Sequence, residues 1–212
     1  MRTLLVYLLP GLLLLLTGCQ TGPTEALIET SEGEVRVRLY DSTPQHRDNF
    51  VKLANEGFYE GTLFHRVIPN FMIQGGDPLS IGAAPDAFLG GGGPGYLLDE
   101  EIGAPHLAGA LAAARTNNPE KRSSGSQFYI VTGQPQSDAT LDQIERMKGI
   151  KYNQAQRDAY KSLGGRPDLD QEYTVFGEVT AGMDVVRRIS GVATGAQNRP
   201  ASDVVIERVT VQ

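Results

Sequence analysis

The stretch FHRVIPNFMIQGGD, Phe64 to Asp77, decides the fold, because it sets a single arginine among apolar residues of strand character. Thr62 to Ile68 is rich in aromatic and β-branched residues, Pro69-Asn70 supplies a turn, Phe71 to Gln74 resumes extended chain, and Gly75-Gly76 ends it. Residues two apart on a strand share a face, which puts Phe64, Arg66 and Ile68 together on one side and Met72 with Gln74 after the turn. Arg66 and Gln74 can therefore meet. A guanidinium among valine, phenylalanine and isoleucine either reaches water or needs partners, and a glutamine amide would fix its planar donor fork. Spacing alone leaves two roles open: a structural tie between two strands, or a group held ready for chemistry.

The rest of the chain frames this strand. Its 212 residues, 40% hydrophobic and 21% charged with 25 glycines, suit one globular domain with many turns. The formal charge of −6, with basic residues scattered, argues against a nucleic-acid partner. Ala26 to Thr30 and Glu34 to Tyr40 read as a hairpin with Val35, Val37 and Leu39 on one face and Arg36 and Arg38 on the other. A helix follows, capped by Ser42 or Thr43, opened by Pro44 and stopped at Gly57, with His46 on its surface and inert. Gly90 to Gly93 lack both the Gly-Lys-Ser/Thr ending of a phosphate loop and the strand–helix setting of a dinucleotide fingerprint. They read as turn chemistry. Asp99, Glu100 and Glu101 read as a solvated acidic run, and His65 and His106 have no metal-ligand spacing around them, so no metal or other cofactor is expected.

Two further blocks extend the pattern. GALAAARTNNPEKRSSGSQFYIVTG, Gly109 to Gly133, contains a strand in which Gln127 and Tyr129 share one face and Phe128 and Ile130 the other. YTVFGEVTAGMDVVRRI, Tyr173 to Ile189, contains a central strand from Thr174 and a short helix, Asp184 to Ile189, and Val204 to Val211 forms a last strand. Between the blocks, residues 134–168 read as an inserted pair of short helices: Thr140 to Gln143 fit a capping box, and Asn153 to Leu163 restart after Gly149.

FHRVIPNFMIQGGDP and the two later blocks, in this order, resemble the signatures of the cyclophilin family of peptidyl-prolyl cis/trans isomerases over most of residues 25–212. The resemblance implies a mainly β fold: a closed eight-stranded antiparallel barrel capped by two helices, with residues 134–168 as a helical insertion. It implies Arg66, Gln74 and Phe71 as catalytic residues. Met72, Ala114, Arg115, Gln127, Tyr129, Leu169 and Tyr173 then line the substrate groove. Phenylalanine is commoner at the position of Tyr129, so the extra hydroxyl needs a partner or water. Asp168 stands where many relatives have tryptophan, and the chain has no tryptophan at all, which argues against tight cyclosporin binding. The implied activity is isomerisation of Xaa-Pro bonds in proline-containing segments of exported proteins, by a monomer. The alternative is a proline-peptide binding chaperone in which catalysis is incidental.

The amino terminus supplies the setting. Arg2 and the apolar run Leu4 to Leu16, broken by Pro10-Gly11, read as a signal peptide over residues 1–18, too short for a membrane span of about 20 residues. Leu16 to Cys19 resembles a bacterial lipobox, implying acylation of Cys19, the only cysteine. Residues 19–24 then form a tether whose five residues after the cysteine reach no more than about 18 Å, so the domain is expected in the cell envelope, lipid-anchored to a membrane.

Overall fold

A computed structural model describes residues 22–212, so the expected signal peptide over residues 1–18 and the expected acylation of Cys19 lie outside the described residues. The chain opens with the hairpin β1 (Glu25–Thr30) and β2 (Gly33–Leu39), in which Ala26, Ile28, Val35, Val37 and Leu39 are buried. Pairing of Ile28 with Val35 and Ala26 with Val37 sets these apolar residues on one face, as the alternation requires. Helix α1 (Pro44–Asn55) follows, with Phe50, Leu53 and Ala54 inward. Thr43 occupies the N-cap without a side-chain cap; the Glu101 carboxylate takes that part, accepting the Gln45 and His46 backbone N–H groups at 3.1 and 3.0 Å. The acidic run is therefore not merely solvated. An anion at the positive end of the helix replaces a local cap.

Strands β3 (Arg66–Ile68) and β4 (Met72–Gly75) form a tight hairpin with Arg66 opposite Gln74 and Ile68 opposite Met72. The strand is shorter than the expected Thr62 to Ile68, and Phe64 is packed in the main core with Val67 rather than on the Arg66 side. The remaining strands are β5 (Leu97–Leu98), β6 (Ala110–Ala113), β7 (Ser123–Ser124), β8 (Phe128–Val131), β9 (Val175–Ala181) and β10 (Ile206–Val211). Eight of them form one antiparallel sheet in the order β10-β1-β2-β9-β6-β8-β4-β3, and β5 pairs with β7 separately.

The sheet curls but is an open half-barrel rather than the closed barrel expected. Its edges approach only where residues 61–64 meet 204–206, through one isolated Leu63–Val205 bridge and three backbone bonds of 2.7–2.9 Å. β3 is too short to carry that contact into a ladder, since it starts at Arg66 and turns back after three residues. Helices α1 and α4 (Met183–Ser190) pack apolar faces on the core, where Phe50 lies 5.1 Å from Tyr59 and 5.7 Å from Phe128 between ring centroids. Burying one such side chain contributes about 1.5–3 kcal/mol. Along β8 the side chains separate two clusters: Phe128 and Ile130 enter this core, while Tyr129 and Val131 join Met72, Ala112 and Val175 on the other face.

The insertion is a helical pair, α2 (Asp138–Lys148) and α3 (Gln154–Ser162). Ser137, not Thr140, caps α2, because the helix begins earlier than the apolar spacing suggests; α3 carries a complete capping box between Asn153 and Gln156. Its base is stitched to the sheet where Ala108 N–H donates to the Gly164 carbonyl at 3.0 Å and Arg166 N–H to the His106 carbonyl at 2.8 Å. Among the described residues no helix is long and apolar enough to cross a membrane.

Candidate active site

A directional chain of amides reaches the pocket from one side. The Gln127 amide nitrogen donates to the Gly90 and Gly92 carbonyls at 3.0 and 2.7 Å, so its oxygen must face Gln74. Gln74 donates to that oxygen at 3.1 Å, which turns its own oxygen toward Arg66 Nη1 at 3.2 Å. The glycine loop thus fixes both amides. Gly76 makes the approach possible: its φ is +82°, and a Cβ there would stand 2.4 Å from the Ser126 carbonyl oxygen. Arg66 is half-buried and has Gln74 as its side-chain partner, leaving guanidinium donors open.

Beside Arg66 lies a cavity of about 120 Å³ lined by Phe71, Met72, Gln74, Ala114, Arg115, Tyr129, Leu169 and Tyr173. These are the residues the family resemblance points to, all but Gln127, which supports Gln74 from behind and lines an adjoining cavity of about 410 Å³ with Gly90 to Gly93. Rings and aliphatic groups share the walls with the polar ends of Arg66, Gln74 and Arg115. Tyr173 meets Tyr129 edge-on at 5.9 Å, and the Arg66 guanidinium stands 6.0 Å from the Phe71 ring. Arg115 is held rather than free: its guanidinium lies 4.8 Å from the Tyr173 ring and bonds the Glu172 carbonyl and carboxylate at 2.9 and 3.2 Å.

The hydroxyl of Tyr129 has a protein partner. It lies 3.1 Å from His106 Nε2, and His106 Nδ1 lies 2.8 Å from Asp170 Oδ1. Burial, reinforced by Tyr173 and Asp170, holds the Tyr129 phenol well above its ordinary pKa, so it stays protonated. Sequence reading missed this group, and it placed His46 on the surface. His46 is buried, with Nδ1 2.7 Å from Glu101 and Nε2 3.0 Å from Ser123 Oγ. No local signal joins residues 55 or 64 positions apart. A second missed residue is Arg166, whose guanidinium sits 4.0 Å from the Phe71 ring and is bound by both Asp168 oxygens at 2.8 and 2.6 Å. Asp168 thus holds a cation against the Phe71 ring.

Comparison with known proteins agrees with this architecture. The model of the family "Cyclophilin type peptidyl-prolyl cis-trans isomerase/CLD" matches residues 26–211. A protein of Staphylococcus aureus (strain USA300) assigned as a peptidyl-prolyl cis-trans isomerase is 35% identical over 194 residues, covering 91% of this chain and 94% of its own. A Streptococcus pyogenes protein assigned as a bifunctional phosphatase and peptidyl-prolyl cis-trans isomerase is 38% identical over 196 residues, 90% of this chain but 39% of its own. Among solved structures, a cyclophilin-type isomerase of Cryptosporidium parvum superposes with a TM-score of 0.66 at 23% identity, covering 90% of this chain and 98% of that one. The same protein has been crystallised in the presence of the dipeptide Ala-Pro.

Proposed function

This chain belongs to the cyclophilin-type peptidyl-prolyl cis-trans isomerase family, and from that premise we propose that Arg66 drives its reaction by binding the prolyl nitrogen in a twisted transition state. The peptide bond resists rotation by about 18–20 kcal/mol because nitrogen shares its lone pair with the carbonyl. Rotation returns that pair to a pyramidal nitrogen, which then accepts a hydrogen bond that the planar ground state cannot. No covalent bond is made or broken, so the site needs neither nucleophile nor proton relay.

The observation that carries this reading is the amide chain from Gly90 through Gln127 and Gln74, which orients Arg66 beside a cavity walled by Phe71, Met72, Tyr129 and Leu169 while leaving donors unused. Preorganised donors of this kind cost no reorganisation when the transition state forms. Phe71, Met72, Tyr129 and Leu169 hold the proline ring, and Ala114 and Arg115 take the residue before it. A charge-assisted bond in a dry pocket contributes about 1.5–3 kcal/mol, or roughly ten- to a hundredfold in rate, and desolvation and orientation add the rest.

The test is cis/trans exchange of a short Xaa-Pro peptide, comparing the intact chain with a folded Arg66→Ala variant. Exchange falls at least about tenfold in the variant while peptide affinity changes little. If the intact protein binds the peptide without accelerating exchange, a proline-binding chaperone replaces the enzyme. For the cellular setting, the lipobox reading of Leu16 to Cys19 supports acylation of Cys19 and a role at the envelope membrane in folding exported chains. Incorporation of an alkyne-tagged fatty acid, lost in Cys19→Ser, is its measurement.

A further inference from the structure

Asp170 is the node of a buried polar network that joins the insertion to the pocket wall. One carboxylate oxygen accepts the His106 backbone N–H at 2.8 Å and lies 2.8 Å from His106 Nδ1. The other accepts the Tyr152 and Tyr160 hydroxyls, each at 2.6 Å. Tyr160 belongs to α3 and Tyr152 to the turn before it, so both donors come from the insertion. His106 and Tyr160 are both 0% exposed, so their bonds to Asp170 are shielded from solvent, while Tyr152 is half-buried. With Nδ1 committed to the Asp170 carboxylate, the ring is held so that Nε2 meets the Tyr129 hydroxyl and the two hydrogen-bond at 3.1 Å. The hydroxyl is thereby turned away from the cavity, and the ring is left facing it.

We infer that His106 and Asp170 are positioning residues that hold the Tyr129 ring as an apolar wall of the proline pocket, and that the insertion sets this wall through Tyr152 and Tyr160. The inference rests on the pocket assignment above. Its physical content is an asymmetry: a buried phenol that loses its hydrogen-bond partner must rotate to find another, whereas a phenyl ring has nothing to satisfy. Loss of His106 therefore damages the pocket only while Tyr129 carries its hydroxyl.

His106→Asn keeps an amide near Nδ1 for Asp170 but ends short of Tyr129, and His106→Gln reaches toward Tyr129. Each is made in the full chain and again in the Tyr129→Phe background, with melting curves, KM and kcat for Xaa-Pro exchange. In the parent, His106→Asn raises KM about three- to tenfold with kcat within about twofold, and His106→Gln restores most of it. In the Tyr129→Phe background the same His106→Asn change leaves KM where that background sets it. Combined Tyr152→Phe and Tyr160→Phe raise KM in the parent in the same sense, by less. Equal KM effects in both backgrounds, or lowered melting temperature with KM unmoved, overturn the inference. If the intact protein fails to accelerate exchange, the enzyme reading falls, and peptide Kd replaces KM in the same cycle to decide this one.

Discussion

Two buried triads in this molecule have nearly the same wiring and different surroundings. His46 and His106 each direct Nδ1 at a carboxylate, Glu101 at 2.7 Å and Asp170 at 2.8 Å, and each sets Nε2 near a hydroxyl, Ser123 at 3.0 Å and Tyr129 at 3.1 Å. In both, the carboxylate also accepts the histidine's own backbone N–H. The first has the connectivity of a hydrolase's Ser-His-Glu triad, yet Ser123 is 1% exposed, so no substrate reaches its oxygen. It caps a helix and ties α1 to β7. The second has no nucleophile, but its phenol is a wall of the cavity. Connectivity does not decide the role; what the last hydroxyl touches does.

The widest separation between the triads is expected at their carboxylates. Asp170→Asn turns an amide nitrogen toward donors in a buried site and costs about 3 kcal/mol in denaturant unfolding, with a raised KM for Xaa-Pro peptide. Glu101→Gln, partly exposed and still able to accept one backbone N–H, costs about 1–2 kcal/mol and leaves KM alone. A KM rise in Glu101→Gln as large as that in Asp170→Asn would erase the distinction. Next in size is Ser123→Ala, which removes one buried partner of His46 and lowers stability by about 1 kcal/mol while exchange kinetics stay unchanged. Slower exchange in that variant would break the comparison from the other side.

The smallest effect is a pH dependence. Burial lowers the His46 pKa below its ordinary 6.5, with Glu101 opposing that shift in part, and burial lowers His65 likewise. The unfolded chain then binds protons that the folded one refuses, so this stability is complete above pH 6.5 and declines as pH falls through that value toward the folded pKa. Denaturation midpoints at pH 7.5 and 5.5 measure the decline, and His46→Gln flattens it. A midpoint that rises on acidification contradicts the buried neutral histidine.

How much of this was legible differs from residue to residue. That Arg66 and Gln74 can meet follows from strand period, while their register is set by the three-residue connection 69–71, which places Ile68 opposite Met72 and so Arg66 opposite Gln74. The groove residues on β8 follow from alternation, although their joining with Leu169 and Tyr173 came from motif resemblance. Asp168 was legible only as the loss of a tryptophan; its bond to Arg166, and the stacking of Arg166 on Phe71, depend on how the insertion's base sits on the sheet. His46 failed as a surface residue because helical spacing marks Phe50, Leu53 and Ala54 as inward and is silent about a polar side chain in the first turn.

The faces of β1, β2 and β8, the pairing of Arg66 with Gln74 and the family could be read from the order of the amino acids, because each depends on residues close in the chain or on motifs in fixed order, whereas Phe64 left the Arg66 face for the main core. Tertiary structure alone decided that the sheet stays open, that Glu101 caps a helix begun 57 positions before it, and that Asp170 gathers groups from 64, 18 and 10 positions away. Hydrogen bonds act over about 3 Å, so which distant polar groups satisfy one another is fixed only once the curvature of the sheet and the seating of the insertion bring them within reach.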